Sequence, residues 1–170
     1  MQFSCTKKVV DKLKGIRSVA KEKWDAGFYN WYIDLVRIER KTYFLYTHST
    51  TLFSFFVKAG PKTTLKSMET SFFEKMKEVV LQEIGANAAY VELLMAERAS
   101  FEYGLTNSRA ILGSMTDLKW QLEVLLDHYH GNLWTQIEAQ VHHQLNRAPM
   151  KMIDHAGPTK AMRTALDQRL

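Results

Sequence analysis

The chain has 170 residues, of which 46% are hydrophobic and 24% charged, and its formal net charge is +5. This composition is ordinary for a soluble globular protein. No uncharged apolar stretch reaches the roughly 18 residues of a membrane helix, and no signal peptide follows Met1. The single cysteine, Cys5, cannot form an internal disulfide, which agrees with a reducing compartment. We therefore predict a cytoplasmic protein with no membrane partner.

The chain starts with a predicted short strand, residues 1–5, whose odd-numbered side chains share one apolar face. Thr6 suits the N-cap of the helix that follows. An apolar stripe with charged residues outside it predicts that helix over residues 9–16. Residues 18–30 are polar and then aromatic, and we interpret them as a connection that covers one edge of the sheet.

The stretch WYIDLVRIERKTYFLYTHSTTLFSFFV, from Trp31 to Val57, is the densest aromatic and β-branched run of the chain. Two polar interruptions divide it into three predicted strands, since these residue types are enriched on pleated, half-buried surfaces. The turn types stay open, because neither interruption contains Asn-Gly or Asp-Gly. Phe53 and Phe56 lie three residues apart, which keeps a helix as the alternative, but a buried strand can be apolar on both faces.

Apolar residues recur at intervals of three and four through the remaining two thirds of the chain, which is typical of helices. Asp117, three residues after Ser114, resembles the acidic member of a capping box and predicts a helix start there. Residues 101–104 fit either a short strand or a loop. The predicted helices cover residues 62–84, 86–98, 133–145 and two segments that begin at Ser114 and Gly157.

These elements predict an α+β fold in a single domain over residues 1–170. The N-terminal third supplies a small, mainly antiparallel sheet, and helices of the C-terminal two thirds cover it. The predicted strands lie near residues 1–5, 31–38, 43–47 and 51–57.

Most motifs that carry enzyme chemistry are missing from the sequence. There is no Gly-rich phosphate loop, HExxH, paired CxxC or GxSxG. The histidines at 128, 130, 142 and 143 have no cysteine partner nearby and form a weak zinc candidate. Cys5 precedes two lysines at a predicted helix start, which would lower the pKa of a thiol, although a strand would bury it. We expect no metal, no cofactor and no catalytic residue.

Two polar segments are candidates for anion binding. One contains Lys7 and Lys8, and the other surrounds an arginine at the mouth of a predicted helix. Free backbone N–H groups and an arginine at a helix start suit phosphate or carboxylate; ordinary capping with a solvated arginine is the alternative. The residues of the second segment are Thr106, Asn107, Arg109 and Ser114.

The basic character of the chain, with a sequence pI of about 9.3, permits binding to nucleic acid. Arg37, Arg40 and Lys41 lie beside strand aromatics, and a basic groove with stacking aromatics is how many small modules hold single strands. The charges are spread along the chain, so a mildly basic protein with no such role is the alternative.

Four blocks of the sequence resemble a family of small bacterial proteins described as a domain of unknown function. They are CTKKVVDKL, the strand run quoted above, TNSRAILGSMTDL and LNRAPMKMI. The family is often met near plasmid and other mobile genes. The resemblance implies a bacterial cytoplasmic protein with a role linked to mobile elements or phage, and it carries no catalytic residue across.

Three functions stay open at this point. The favoured one is a non-enzymatic module that recognises nucleic acid or a phosphate-bearing ligand. The alternative is a protein-interaction role, antitoxin-like, anti-defence or regulatory, for which eight methionines would supply an adaptable apolar surface. The third is a small hydrolase or nuclease that uses Arg109, Asp117 and a histidine, which must lie within hydrogen-bond reach of one another.

Overall fold

The computed structural model describes residues 1–13, 27–85, 87–96 and 101–170. The predicted connection over residues 18–30, and the end of the first predicted helix, fall largely outside these ranges. The elements in chain order are β1 (Gln2–Cys5), α1 (Lys7–Leu13), β2 (Asn30–Ile38), β3 (Lys41–His48), β4 (Ser54–Lys58), α2 (Leu65–Glu83), α3 (Ala88–Met95), β5 (Glu102–Leu105), α4 (Arg109–His128), α5 (Trp134–Leu145), a 3-10 turn (Lys151–Ile153) and α6 (Pro158–Asp167).

Within the described residues the strands form one mixed sheet in the order β4-β3-β2-β1-β5. The longer ladders are antiparallel and join β2 to β3 and β3 to β4. β1 is parallel to both of its neighbours, β2 and β5. The α+β prediction is confirmed, and so are three strands in the aromatic run. Residues 101–104, which the sequence left open between strand and loop, overlap the fifth strand, Glu102–Leu105.

Helices cover both faces of this sheet. On one face, α1, α2, α3 and α6 contribute to a core that centres on Phe72. The ring centroid of Phe72 lies 4.9 Å from that of Phe3, 5.2 Å from Trp31 and 5.0 Å from Tyr46. On the other face, α4 and α5 pack against β2, β3 and β4. No helix in the described ranges has the length and apolar character that a bilayer crossing requires.

The start of α4 differs from the prediction. Its N-cap is Ser108, whose Oγ accepts a hydrogen bond from the backbone N–H of Ile111 over 3.3 Å. The predicted start at Ser114 is therefore wrong, because that residue is the sixth of the helix. Its hydroxyl donates to the carbonyl of Ala110, 3.2 Å away. The predicted last strand also starts later, at Ser54, because the turn after His48 extends to Phe53.

The outer edge of β4 is closed by side chains of α5 and its C-cap. Asn146 is fully buried; its Oδ1 accepts from the Ser54 N–H, and its Nδ2 donates to the Ser54 carbonyl, both over 2.7 Å. The Phe56 N–H donates to Nε2 of His142 over 3.2 Å. An amide side chain thus imitates a neighbouring strand, which satisfies backbone groups that an edge strand otherwise leaves unpaired.

The β2–β3 hairpin turns through Glu39 and Arg40, which have φ angles of 50° and 63°. Positive φ at both central residues is the geometry of a two-residue type I′ turn, usually built from Asn-Gly. Here Glu39 has a second role, because its carboxylate accepts from the N–H of Trp134 at the start of α5. The turn thereby joins the sheet to a helix, which explains a residue type that the turn geometry alone disfavours.

Candidate functional site

The two parallel strand pairs, β1 with β2 and β1 with β5, lie at one side of the sheet. We call the region at the carboxyl ends of β1 and β5 the polar corner. β1 and β5 are adjacent and parallel, and each is followed by a helix, α1 and α4. The buried side chains of α1 belong to one core and those of α4 to the other, so the helices leave toward opposite faces. In open α/β sheets, ligand crevices form outside the carboxyl ends of strands where such connections diverge.

Asp34 of β2 is the buried acid of this corner. Its carboxylate accepts from the Thr6 hydroxyl and from the Leu35 N–H, each over 2.8 Å, and Lys119 Nζ lies 2.6 Å away. Burial acts to raise the pKa of Asp34, but the bonds from Lys119, Thr6 and Leu35 outweigh it, so the pKa lies below its ordinary value. The Asp34 carboxylate is therefore ionised near neutral pH, and its contact with Lys119 fixes α4 to the sheet.

Tyr32 fixes the loop that leads into α4. Its hydroxyl donates to the side-chain oxygen of Asn107, next to the N-cap Ser108. Burial raises the pKa of Tyr32, against smaller opposing effects of the hydrogen bonds around it, so the phenol remains a donor near neutral pH. The loop and the first turn of α4 are thus held against β2.

A groove of about 480 Å³ opens beside the Asp34–Lys119 pair, between α1, β2 and α4. We call it the Trp120 groove and define it by Lys8, Arg37, Lys119, Trp120 and Glu123. Trp120 is 66% exposed, whereas two other tryptophans, at 31 and 134, are buried. The groove therefore combines an exposed indole with three cations and one carboxylate.

The sequence-predicted candidates fall into two groups. Lys8 and Arg37 line the Trp120 groove. Lys7 and Arg109 are exposed in the first turns of α1 and α4, and Thr106 is half-buried and donates its N–H to the Cys5 carbonyl. Asn107 is exposed, and its side-chain oxygen accepts the hydrogen bond from the Tyr32 hydroxyl. Ser114 is buried inside α4, away from the helix start.

The remaining basic candidates lie at the hairpin. Arg40 is the second turn residue, and its carbonyl accepts from the Arg37 guanidinium over 3.3 Å. Lys41 begins β3 and lies 3.7 Å from the carboxylate of Glu39. Neither belongs to the lining of the Trp120 groove, so the structure joins only one of these three residues to the groove.

The cysteine hypothesis is contradicted. Cys5 is fully buried in β1, and burial raises the pKa of its thiol to about 12, so no reactive thiolate forms near neutral pH. Arg109 and Asp117 lie eight residues apart on α4, about 12 Å along its axis, and do not form an acid–base pair. Among the described residues, no three His, Cys, Asp or Glu side chains form a metal-ligand group.

Sequence reasoning missed Lys119 and Trp120, although one signal was present. The buried stripe of α4 includes Leu118 and Leu122. Trp120 lies between them, on the opposite side of the helix at 100° per residue. An aromatic residue out of phase with an apolar stripe indicates an exposed ring.

The fold and the groove together define a class of protein. It is a small α+β domain in which two helices leave a mixed sheet toward opposite faces. The Trp120 groove, which contains an exposed indole and charges of both signs, lies at the polar corner of that sheet. The chain belongs to the family described as Domain of unknown function (DUF6933), whose model matches residues 2–161. This confirms the resemblance to a domain-of-unknown-function family. No curated protein matches the chain.

Proposed function

We propose that the protein is a non-enzymatic module that binds single-stranded nucleic acid along the Trp120 groove, in the bacterial cytoplasm and in a mobile-element or phage context. The exposure of Trp120, at 66%, carries the proposal. A base that stacks on an exposed indole contributes about 1–3 kcal/mol, and such stacking tolerates any base sequence. The role requires no catalytic group.

The charges of the groove set the expected strength of binding. Lys119 is neutralised by Asp34 at 2.6 Å, and Glu123 opposes the remaining cations. Lys8 and Arg37 are therefore the groups available to phosphates. Two phosphate contacts to a single strand predict a slope of about −1.4 in log K against log salt concentration. We expect weak binding, mainly from stacking, with moderate salt dependence.

The test is fluorescence anisotropy with a labelled oligothymidine at low salt. Trp120→Ala should weaken binding about ten-fold or more, and Trp120→Phe should retain most of it, because a ring is preserved. Leu133→Ala is the matched control, since Leu133 is 61% exposed outside the groove. Unchanged affinity in Trp120→Ala, or no binding by the wild type at low salt, would overturn the proposal.

A charge experiment separates phosphate contacts from general attraction by the protein's net charge. Lys8→Gln and Arg37→Gln should each flatten the salt dependence by about 0.7 in slope. Lys77→Gln, which removes an exposed charge from α2, should leave the slope unchanged. Equal effects of all three substitutions would argue against a defined groove.

A second candidate is a protein-interaction role, favoured by Trp120 and Val124, which lie four residues apart and are both exposed on α4. The methionines do not supply that surface, because six of the eight are buried. A stoichiometric partner recovered from a bacterial lysate by the wild type, and lost with a Trp120→Ala, Val124→Ala double substitution, would support this role. Equal recovery by both proteins would contradict it.

A further inference from the structure

The two edges of the sheet differ in how their backbone groups are satisfied. At the β4 edge, Asn146 and His142 supply side-chain partners to the strand, as described above. The opposite edge is β5, which pairs with β1 on its inner side. An edge strand presents a row of N–H and C=O groups to which a further strand can be added. The fold therefore closes one edge and leaves the other available for pairing.

The hydrogen bonds between β5 and β1 identify the backbone groups that point outward. The N–H of Glu102 donates to the Met1 carbonyl over 3.0 Å, and the N–H of Thr106 donates to β1 over 3.1 Å. Successive residues of a strand direct their backbone groups to opposite sides, so Tyr103 and Leu105 direct theirs away from β1. Among the described residues, no hydrogen bond to these outward groups occurs.

The side chains of the same two residues form an apolar step beside this edge. Tyr103 is half-buried, with its ring centroid 5.7 Å from that of Phe3, and its hydroxyl donates to Glu69 of α2. Leu105 lies on the same face of the strand, two residues further on, and is 48% exposed. A strand added outside β5 would cover Leu105 and extend the apolar face that Tyr103 begins.

The charges at the two ends of β5 select the occupant and its direction. Glu102 is exposed at the amino end. Lys7 and Arg109 are exposed at the carboxyl end, in the first turns of the helices that follow β1 and β5. A second β5 in antiparallel orientation places the acidic end of each strand toward the basic end of the other. A second copy of the chain, related by a two-fold axis, supplies this self-complementary arrangement.

We propose that β5 pairs with β5 of a second copy of this chain, antiparallel and about a two-fold axis at Gly104. This register pairs both outward residues: Tyr103 lies opposite the partner's Leu105, and Leu105 opposite the partner's Tyr103. Each pair exchanges two backbone hydrogen bonds, and the glycines meet where Cα atoms approach to about 4.5 Å. The two sheets become one continuous sheet. The proposal does not depend on nucleic-acid binding, because it rests on different residues.

The expected dimer is weak and depends on concentration, because β5 has four residues and stable complexes bury at least about 1,200 Å². Sedimentation velocity of the full chain between about 1 μM and 1 mM measures it. The weight-average mass of the wild type should rise with concentration toward that of a dimer. Urea unfolding of each variant verifies that it is folded.

Substitutions of Leu105 test the edge directly. Leu105→Pro removes an outward N–H without breaking the ladder to β1, and Leu105→Lys places a charge at the edge. Each should weaken association about ten-fold or more, whereas Leu105→Val should retain it. Leu133→Lys is the matched control, since it makes the same change at a residue that is 61% exposed on another element, and it should dimerise like the wild type.

A charge reversal tests the direction of pairing. Glu102→Lys should weaken the dimer, and adding Arg109→Glu to it should restore association. A wild type that stays monomeric up to millimolar concentration would overturn the proposal. Undiminished association of both Leu105→Pro and Leu105→Lys would also overturn it. So would a dimer that Trp120→Ala abolishes, because the interface would then lie on α4.

Discussion

Replacing His142 by glutamine removes a titrating ring from the protein interior and keeps an acceptor for the backbone N–H of Phe56. The ring of His142 is 1% exposed and lies parallel to that of Phe56, with centroids 5.6 Å apart. Its Nε2 accepts from the Phe56 N–H, which requires the neutral ring. Burial, aided by the charge of Lys75, lowers the pKa of His142 from 6.5 to about 3.

The sign of the pH effect follows from this depressed pKa. Because the unfolded chain binds a proton at pH values where folded His142 does not, the stability contributed by the neutral ring is complete above pH 6.5. It is lost as the pH falls from 6.5 toward 3. Between pH 7 and pH 5 the loss amounts to about 2 kcal/mol. His48, whose pKa burial lowers to about 4, adds a similar amount.

Urea unfolding at several pH values between 7 and 5 measures this dependence. The wild type should lose about 4 kcal/mol over that range, and His142→Gln should lose about half as much. His128→Gln, at an exposed position at the end of α4, serves as the control and should follow the wild type. The quantity to compare is the difference between pH values within each protein, because losing the stacked ring also lowers stability at pH 7. An equal loss in wild type and His142→Gln would refute the assignment of His142 as an acid-sensitive group.

Two further predictions concern other buried groups. Asn146→Ala should lower the free energy of unfolding by about 2–5 kcal/mol, because it leaves the buried N–H and carbonyl of Ser54 without partners. Asn132→Ala, at an exposed position, is its control in urea unfolding, and a loss below about 0.5 kcal/mol would contradict the strand-mimic role. Cys5 should react with a thiol reagent at pH 8 only after unfolding, since burial raises its pKa to about 12; rapid labelling of the native protein would contradict its burial.

The aromatic run was predictable because its chemistry is local. Trp31, Ile33 and their alternating neighbours fit a pleated strand, and polar breaks mark the turns. The start of α4 could not be predicted in the same way, because Ser114 and Asp117 have the spacing of a capping box without forming one. The true cap, Ser108, has Ile111 at the third helical position instead of Glu or Gln.

The Trp120 groove lay beyond sequence reasoning because it joins distant parts of the chain. The Asp34–Lys119 pair joins residues 85 positions apart, and nothing in either local sequence predicts that contact. Lys8 and Arg37 were candidates for separate reasons, and only the sheet order brings them to one groove.

The position of β1 in the sheet has a consequence for the order in which the protein folds. β2, β3 and β4 are consecutive hairpins, and such local pairings form early because little chain entropy is lost in closing short loops. β1 lies between β2 and β5, and its pairing with β5 joins residues 2–5 to residues 102–105. During synthesis the pairing of β1 with β5 cannot form until more than half of the chain has been made. We therefore expect β2, β3 and β4 to form first and to provide the edge on which β1 and β5 pair. The polar corner and the Trp120 groove then assemble last.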